Sequence, residues 1–184
     1  MVLDISPQEL RPLRRVEYEE LARAGMFEDE RIELLYGAIV RMSPTGAPHD
    51  GTIQRLTRLL VLALDPRAAI RVQSSFAASE KSQPQPDVAV VPPGDYGDAH
   101  PSEGWLIVEV ADSSRRKDLG LKARLYAECG VPEYWVVDVA ENVIVVHTRI
   151  VGGEYGSVAR HGRGDKLALV RFPDVVVDAS DVLR

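Results

Sequence analysis

Residues 105–111 read Trp105-Leu106-Ile107-Val108-Glu109-Val110-Ala111, an apolar run interrupted once, by Glu109. A strand that is apolar at every position belongs to a sheet covered on both faces. One carboxylate inside such a run is costly unless it is paired, hydrogen-bonded or placed on a metal ion. The same stretch therefore sets the fold class, a sheet between helices, and marks the first candidate for chemistry.

Working outward, Pro86-Asp87-Val88-Ala89-Val90-Val91 repeats the pattern with its acid at the strand start. Strands are expected over Ala69 to Ser74, Asp87 to Val91 and Trp105 to Val110, all short, branched-chain rich and bounded by Pro, Gly or Ser. If the last two are neighbours, Asp87 and Glu109 converge near the middle of the sheet. Downstream, a helix is predicted from Lys117 to Cys129, stopped by Gly130 and Pro132. Asp118, Lys122 and Tyr126 share one face of it. Glu133 to Val137 and Val143 to Ile150 read as strands, and the tail from Val151 alternates Gly-rich turns with short apolar runs.

Upstream, Ile53, Leu56, Leu59, Leu60 and Leu64 recur at helical spacing and predict a helix from Pro48 to Leu64. Arg31 to Leu35 and Ala38 to Met42 form a hairpin about Tyr36-Gly37. A first helix runs from Leu13 to Ala24 and stops at Gly25, with Ser6-Pro7-Gln8-Glu9 as a capping box ahead of it. The order fits one α/β (α+β) domain over residues 1–184, a mixed β-sheet flanked by helices with an N-terminal helix and hairpin.

At 184 residues, 45% hydrophobic and 27% charged, the composition is that of a soluble globular chain. No apolar run approaches the roughly 18 residues needed to span a bilayer, no secretory signal is visible, and one cysteine, Cys129, cannot form an internal disulfide. A cytoplasmic protein is expected. The net charge of −6 argues against a non-specific DNA-coating protein, though an enzyme needs only a local positive patch. Such a patch exists: Ser113 to Arg124 holds five cations, Arg115, Arg116 and Lys117 among them, against Asp118. A helix start does not favour positive charge, which supports an anion site there.

Two carboxylates, a lysine and a positive patch suit phosphoryl chemistry. Mg²⁺ prefers one or two carboxylates plus water and substrate phosphate. The ion activates water, and a lysine orients the nucleophile or stabilises developing charge.

These residues resemble the PD-(D/E)XK restriction-endonuclease-like superfamily, and within it the Uma-type endonuclease family, formerly a domain of unknown function. The resemblance runs through Ile32-Glu33-Leu34, Gly37, Met42-Ser43-Pro44, His49, Pro86-Asp87-Val88, Val108-Glu109-Val110, Ser113-Ser114, Asp118 to Tyr126, and Gly130 to Asp138. It implies that Asp87 is the first metal-binding aspartate, Glu109 the acid of the (D/E)XK element, and the Val110 carbonyl a third metal ligand. The lysine of that element should stand at Ala111; Lys122 is its substitute from the next helix. Lys122 and Tyr126 also resemble the helical Gln-x-x-x-Tyr element of RecB-like nucleases, with Lys for Gln, and Asp112 stands where the family often has proline. Glu33 is implied as a supporting catalytic residue. His49, with Arg115, Arg116, Lys117 and Tyr126, is expected toward the substrate.

The resulting expectation is an endodeoxyribonuclease using Mg²⁺ (or Mn²⁺), with DNA as substrate, no membrane association and pairing as a homodimer. Two rivals stand beside it: a non-cleaving DNA- or protein-binding module that has kept the fold, and a hydrolase of RNA or another phosphodiester.

Overall fold

The structure, a computed structural model, describes residues 9–184; Ser6, Pro7 and Gln8 of the expected capping box lie outside them. The first helix, α1 (Arg15–Arg23), begins two residues later than its periodicity suggests, which leaves Pro12 outside it. The Glu17 carboxylate accepts the Arg14 backbone N–H at 2.9 Å and so satisfies one donor of the first turn. Gly25, at φ +79°, ends the segment.

β1 (Ile32–Leu35) and β2 (Ala38–Arg41) form the expected antiparallel hairpin. Tyr36 and Gly37 both have positive φ, 51° and 80°, as a two-residue turn that follows strand twist requires. A Cβ on Gly37 would lie 2.3 Å from the Pro12 Cβ, so glycine lets the chain ahead of α1 pack onto the turn. The long helix α2 (Ala47–Leu64) then buries Ile53, Leu56, Leu60 and Leu64 along one stripe.

The main sheet has six strands in the order β3-β4-β5-β6-β7-β8. They are β3 (Ala69–Val72), β4 (Val88–Val91), β5 (Leu106–Ala111), β6 (Glu133–Asp138), β7 (Val143–Val151) and β8 (Glu154–His161). Only β5 and β6 pair in parallel. A parallel neighbour needs a crossover, and here it is helical: α3 (Arg115–Lys117), a π-helical turn (Asp118–Lys122) and α4 (Ala123–Glu128). The helix expected over Lys117 to Cys129 thus begins at Arg115 and is widened by one π-turn.

Alternate residues of the strands build two cores. Val88, Val90, Leu106, Val108, Val110, Trp135 and Val137 face α2. Ala89, Val91, Ile107, Ala111, Tyr134 and Val136 face the crossover with Tyr126. The tail is more ordered than its turns and short apolar runs suggest. β9 (Lys166–Ala168) and β10 (Val176–Asp178) form a second hairpin and lead into α5 (Ala179–Val182). Leu167, Phe172, Val177, Val182 and Leu183 close the α2 core. Each run is too short to show a period, so it is burial against α2 that orders them.

Candidate active site

β4 and β5 are antiparallel with Val88 opposite Val108, which places Asp87, one residue before β4, opposite Glu109 on the crossover face. Asp87 is fixed from both sides. Its Oδ2 accepts the Val110 N–H at 2.8 Å and lies 3.3 Å from His49 Nε2, near the start of α2. The other ring nitrogen of His49 is 3.3 Å from Asp50 Oδ1. Glu109 is 4% exposed; its Oε1 accepts from Lys122 Nζ at 2.9 Å and from the Tyr126 hydroxyl at 2.8 Å.

The hairpin supplies the third acid. Glu33 is wholly buried, with Oε2 2.9 Å from Lys122 Nζ and Oε1 accepting from Lys117 Nζ at 2.7 Å. The alternation of Ile32, Glu33 and Leu34 suggests a solvated side chain, yet all of β1 is buried, because both sides of the hairpin strand are covered. The π-turn explains how the crossover reaches the acids. Asp118 and Lys122 at its ends are both 2% exposed, and Tyr126 one turn later is fully buried, while Gly120 and Leu121 face out. π-turns of this kind recur at functional sites. Ala111, where the family lysine would stand, is buried, and the ammonium arrives from the helix instead.

Burial works against a charge on Lys122, but Glu109, Glu33 and Asp118 outweigh it and raise its pKa, so the ammonium persists. Burial opposes ionisation of Glu33, and Lys122 and Lys117 overcome it, holding that carboxyl below its usual range. Glu109 goes the other way. Burial pushes it up to about 8 against the pull of Lys122, and Asp118, Asp87 and Glu33 push in the same direction as burial. Burial also raises Asp118. Burial disfavours a proton on His49, but Asp87 and Asp50 outweigh it and raise its pKa. The cluster thus has one acid settled as a counter-ion, Glu33, and one short of positive charge, Glu109.

The donor set fits a divalent cation. Among the described residues Asp87 Oδ1 and Glu109 Oε2 carry no hydrogen bond, and both residues line one cavity of about 40 Å³ with Glu33, His49, Val110 and Lys122. A water occupies upward of roughly 10–15 Å³ on this measure, so the cavity admits an ion with its water and no base. Among the described residues no three His, Cys, Asp or Glu side chains form a ready metal cage. Two carboxylates completed by a backbone oxygen and water make the kind of site Mg²⁺ or Mn²⁺ takes.

The structure therefore gathers Asp87, Glu109, Val110, Lys122, Glu33, His49 and Lys117 around one cavity. One expectation is corrected. Tyr126 has no surface to offer a substrate; it lies beneath Glu109 and holds it. Arg115 is tied by its Nε to the buried Asp138 at the end of β6, with its side chain still 45% exposed. Of the basic triplet only Arg116 is exposed without an ion pair among the described residues. Sequence reasoning missed Arg31 and the Met42–Thr45 loop, which also line the cavity. The signal was in Glu33, since wherever it points the rest of the hairpin follows.

The Uma2 family model, described as "Putative restriction endonuclease", matches residues 15–180. No curated protein matches the sequence. Among solved structures the fold is similar to that of a protein from Anabaena variabilis described as a "putative nuclease belonging to DUF820". The TM-score is 0.74 at 13% identity, over 93% of this chain and 97% of that one.

Proposed function

Because the chain belongs to the Uma2 family, we propose that it is a divalent-metal-dependent endonuclease that hydrolyses DNA phosphodiester bonds. The observation that carries this reading is the pair Asp87 and Glu109 on adjacent strands, each with one oxygen unbonded among the described residues, both lining a cavity that also holds a charged lysine. Asp87, Glu109 and the Val110 carbonyl would hold Mg²⁺ or Mn²⁺. When bound, the ion neutralises charge on the scissile phosphate and lowers the pKa of water.

The chain's own groups do the rest. The Val110 N–H and His49 fix the rotamer of Asp87. Tyr126 and Lys122 fix Glu109. Glu33 holds Lys122 at the cavity, where the ammonium orients the attacking water and stabilises developing negative charge. Lys117, partly exposed at the mouth, faces the incoming phosphate.

Purified protein is expected to nick supercoiled plasmid in Mg²⁺ or Mn²⁺ and not in EDTA, with Asp87→Ala inactive. Wild-type protein that never nicks, or an equally active Asp87→Ala, overturns the reading. The engagement of Lys122 by two carboxylates favours, as second reading, a non-cleaving DNA-binding module; it expects DNA binding without nicking under any metal.

A further inference from the structure

Beside the catalytic cavity runs a second groove of about 580 Å³, and Ser43, Ser113, Ser114 and Lys117 line both. Its remaining lining includes Arg41 from the end of β2 and Arg116 from α3. The groove thus holds three cations and no carboxylate, in a chain of net charge −6. A further depression shares Arg41 but contains Asp29 and Glu30 as well, so its own acids cancel its charge.

The two arginines are not committed elsewhere. The Arg41 side chain is 88% exposed, and its Glu30 partner is 3.9 Å away, beyond hydrogen-bond distance. Arg116 is exposed and enters no ion pair among the described residues. Their neighbours differ, since Arg115 is held by Asp138 and Lys117 by Glu33. The floor is open too, because a Cβ on Gly120 would meet nothing within 4 Å. Guanidinium groups bind phosphate oxygens bidentately, and serine hydroxyls add neutral donors. The catalytic cavity is too small for a nucleotide, whereas the groove has the volume of a small-ligand pocket.

We propose that this groove is the subsite for the sugar–phosphate backbone next to the scissile phosphate, with Arg41 and Arg116 as its phosphate ligands. The proposal rests on the nuclease reading above. It extends that reading to Arg41, on a different element from the helical cations.

The test is binding of a short fluorescein-labelled single strand, followed by anisotropy in EDTA over a salt series. Wild type is compared with Arg41→Ala/Arg116→Ala and with Arg58→Ala, an exposed arginine of α2 outside both cavities. Each phosphate contact contributes about 0.7 to the salt slope for a single strand, so the double variant should lose about 1.4 of slope and roughly tenfold in affinity. Arg58→Ala should match wild type. A double variant within twofold of a wild type that binds overturns the groove and leaves the nuclease reading standing. Wild-type protein that binds no strand also overturns the groove, and the nuclease reading then stands or falls by plasmid nicking.

Discussion

Glu109 and Glu133 are both buried carboxylates on neighbouring strands of the same sheet, and burial raises the pKa of both. Glu133 is on the α2 face, where both its oxygens are spent. Oε1 accepts from the Trp135 indole N–H at 2.8 Å and Oε2 from the Val170 N–H at 2.8 Å. It ties β6 to the C-terminal segment and has no cation. Glu109, on the opposite face, lines a cavity and puts both its bonds on one oxygen, leaving the other unbonded among the described residues. Burial and a raised pKa are therefore not what marks a site. The mark is an acceptor left over after the protein's own donors have been counted.

Exchanging each acid for its amide separates the two roles. Glu109→Gln should reduce metal-dependent nicking by at least about 100-fold, because the freed acceptor loses its charge. Glu133→Gln should leave nicking within a few-fold of wild type. A plasmid assay on both variants checks this, and equal losses would break the distinction.

Lys122→Met removes the cation shared by Glu109, Glu33 and Asp118 and leaves Glu33 with Lys117 alone. It should cost about 3–5 kcal/mol in urea unfolding, the usual result of stranding a buried charge. Added Mg²⁺ should restore part of that loss by replacing the missing positive charge. If metal does not change the variant's midpoint, the acids are no ion site.

Glu133→Gln is expected to cost less, about 1–3 kcal/mol, since an amide nitrogen would face a backbone donor. That loss should be indifferent to Mg²⁺. The smallest effect is on His147, buried on the crossover face against Tyr134 and Tyr155, where burial lowers its pKa below 6.5. The unfolded chain then takes up the proton first. The stability is complete above about pH 6.5 and is lost as pH falls through the folded value. His147→Phe should flatten that part of the acid limb in thermal melts, while a variant on the α2 face such as Leu60→Ala lowers the whole curve.

Most elements were legible because their signals are local. The apolar run on either side of Glu109 announced a covered strand, and the spacing of Ile53 to Leu64 announced α2. Glu109 stood out because its context made a solvated acid untenable, and Lys122 because it shares a helix face with Asp118 and Tyr126. Glu33 gave the wrong local impression. Alternation cannot report that a hairpin has one side on α1 and the other on the site. Tyr126 was assigned to the face it shares with Lys122 but not to its depth, which depends on the sheet below. Arg41 was silent for the opposite reason: an exposed arginine at a strand end acquires meaning only when a helix from another part of the chain stands beside it.

The widened turn between Asp118 and Lys122 makes the spacing of the crossover part of the chemistry. A residue's bearing around a helix advances about 100° with each position. Adding one residue there in regular α winding would swing everything after it, or everything before it, by about that angle. Asp118 and Lys122 then could not both meet the sheet, although every side chain named in the site would still be encoded. The ammonium's place is a matter of phase, whereas those of Asp87 and Glu109 are a matter of strand parity. A chain of this design tolerates substitutions at Gly120 far better than a one-residue insertion beside it.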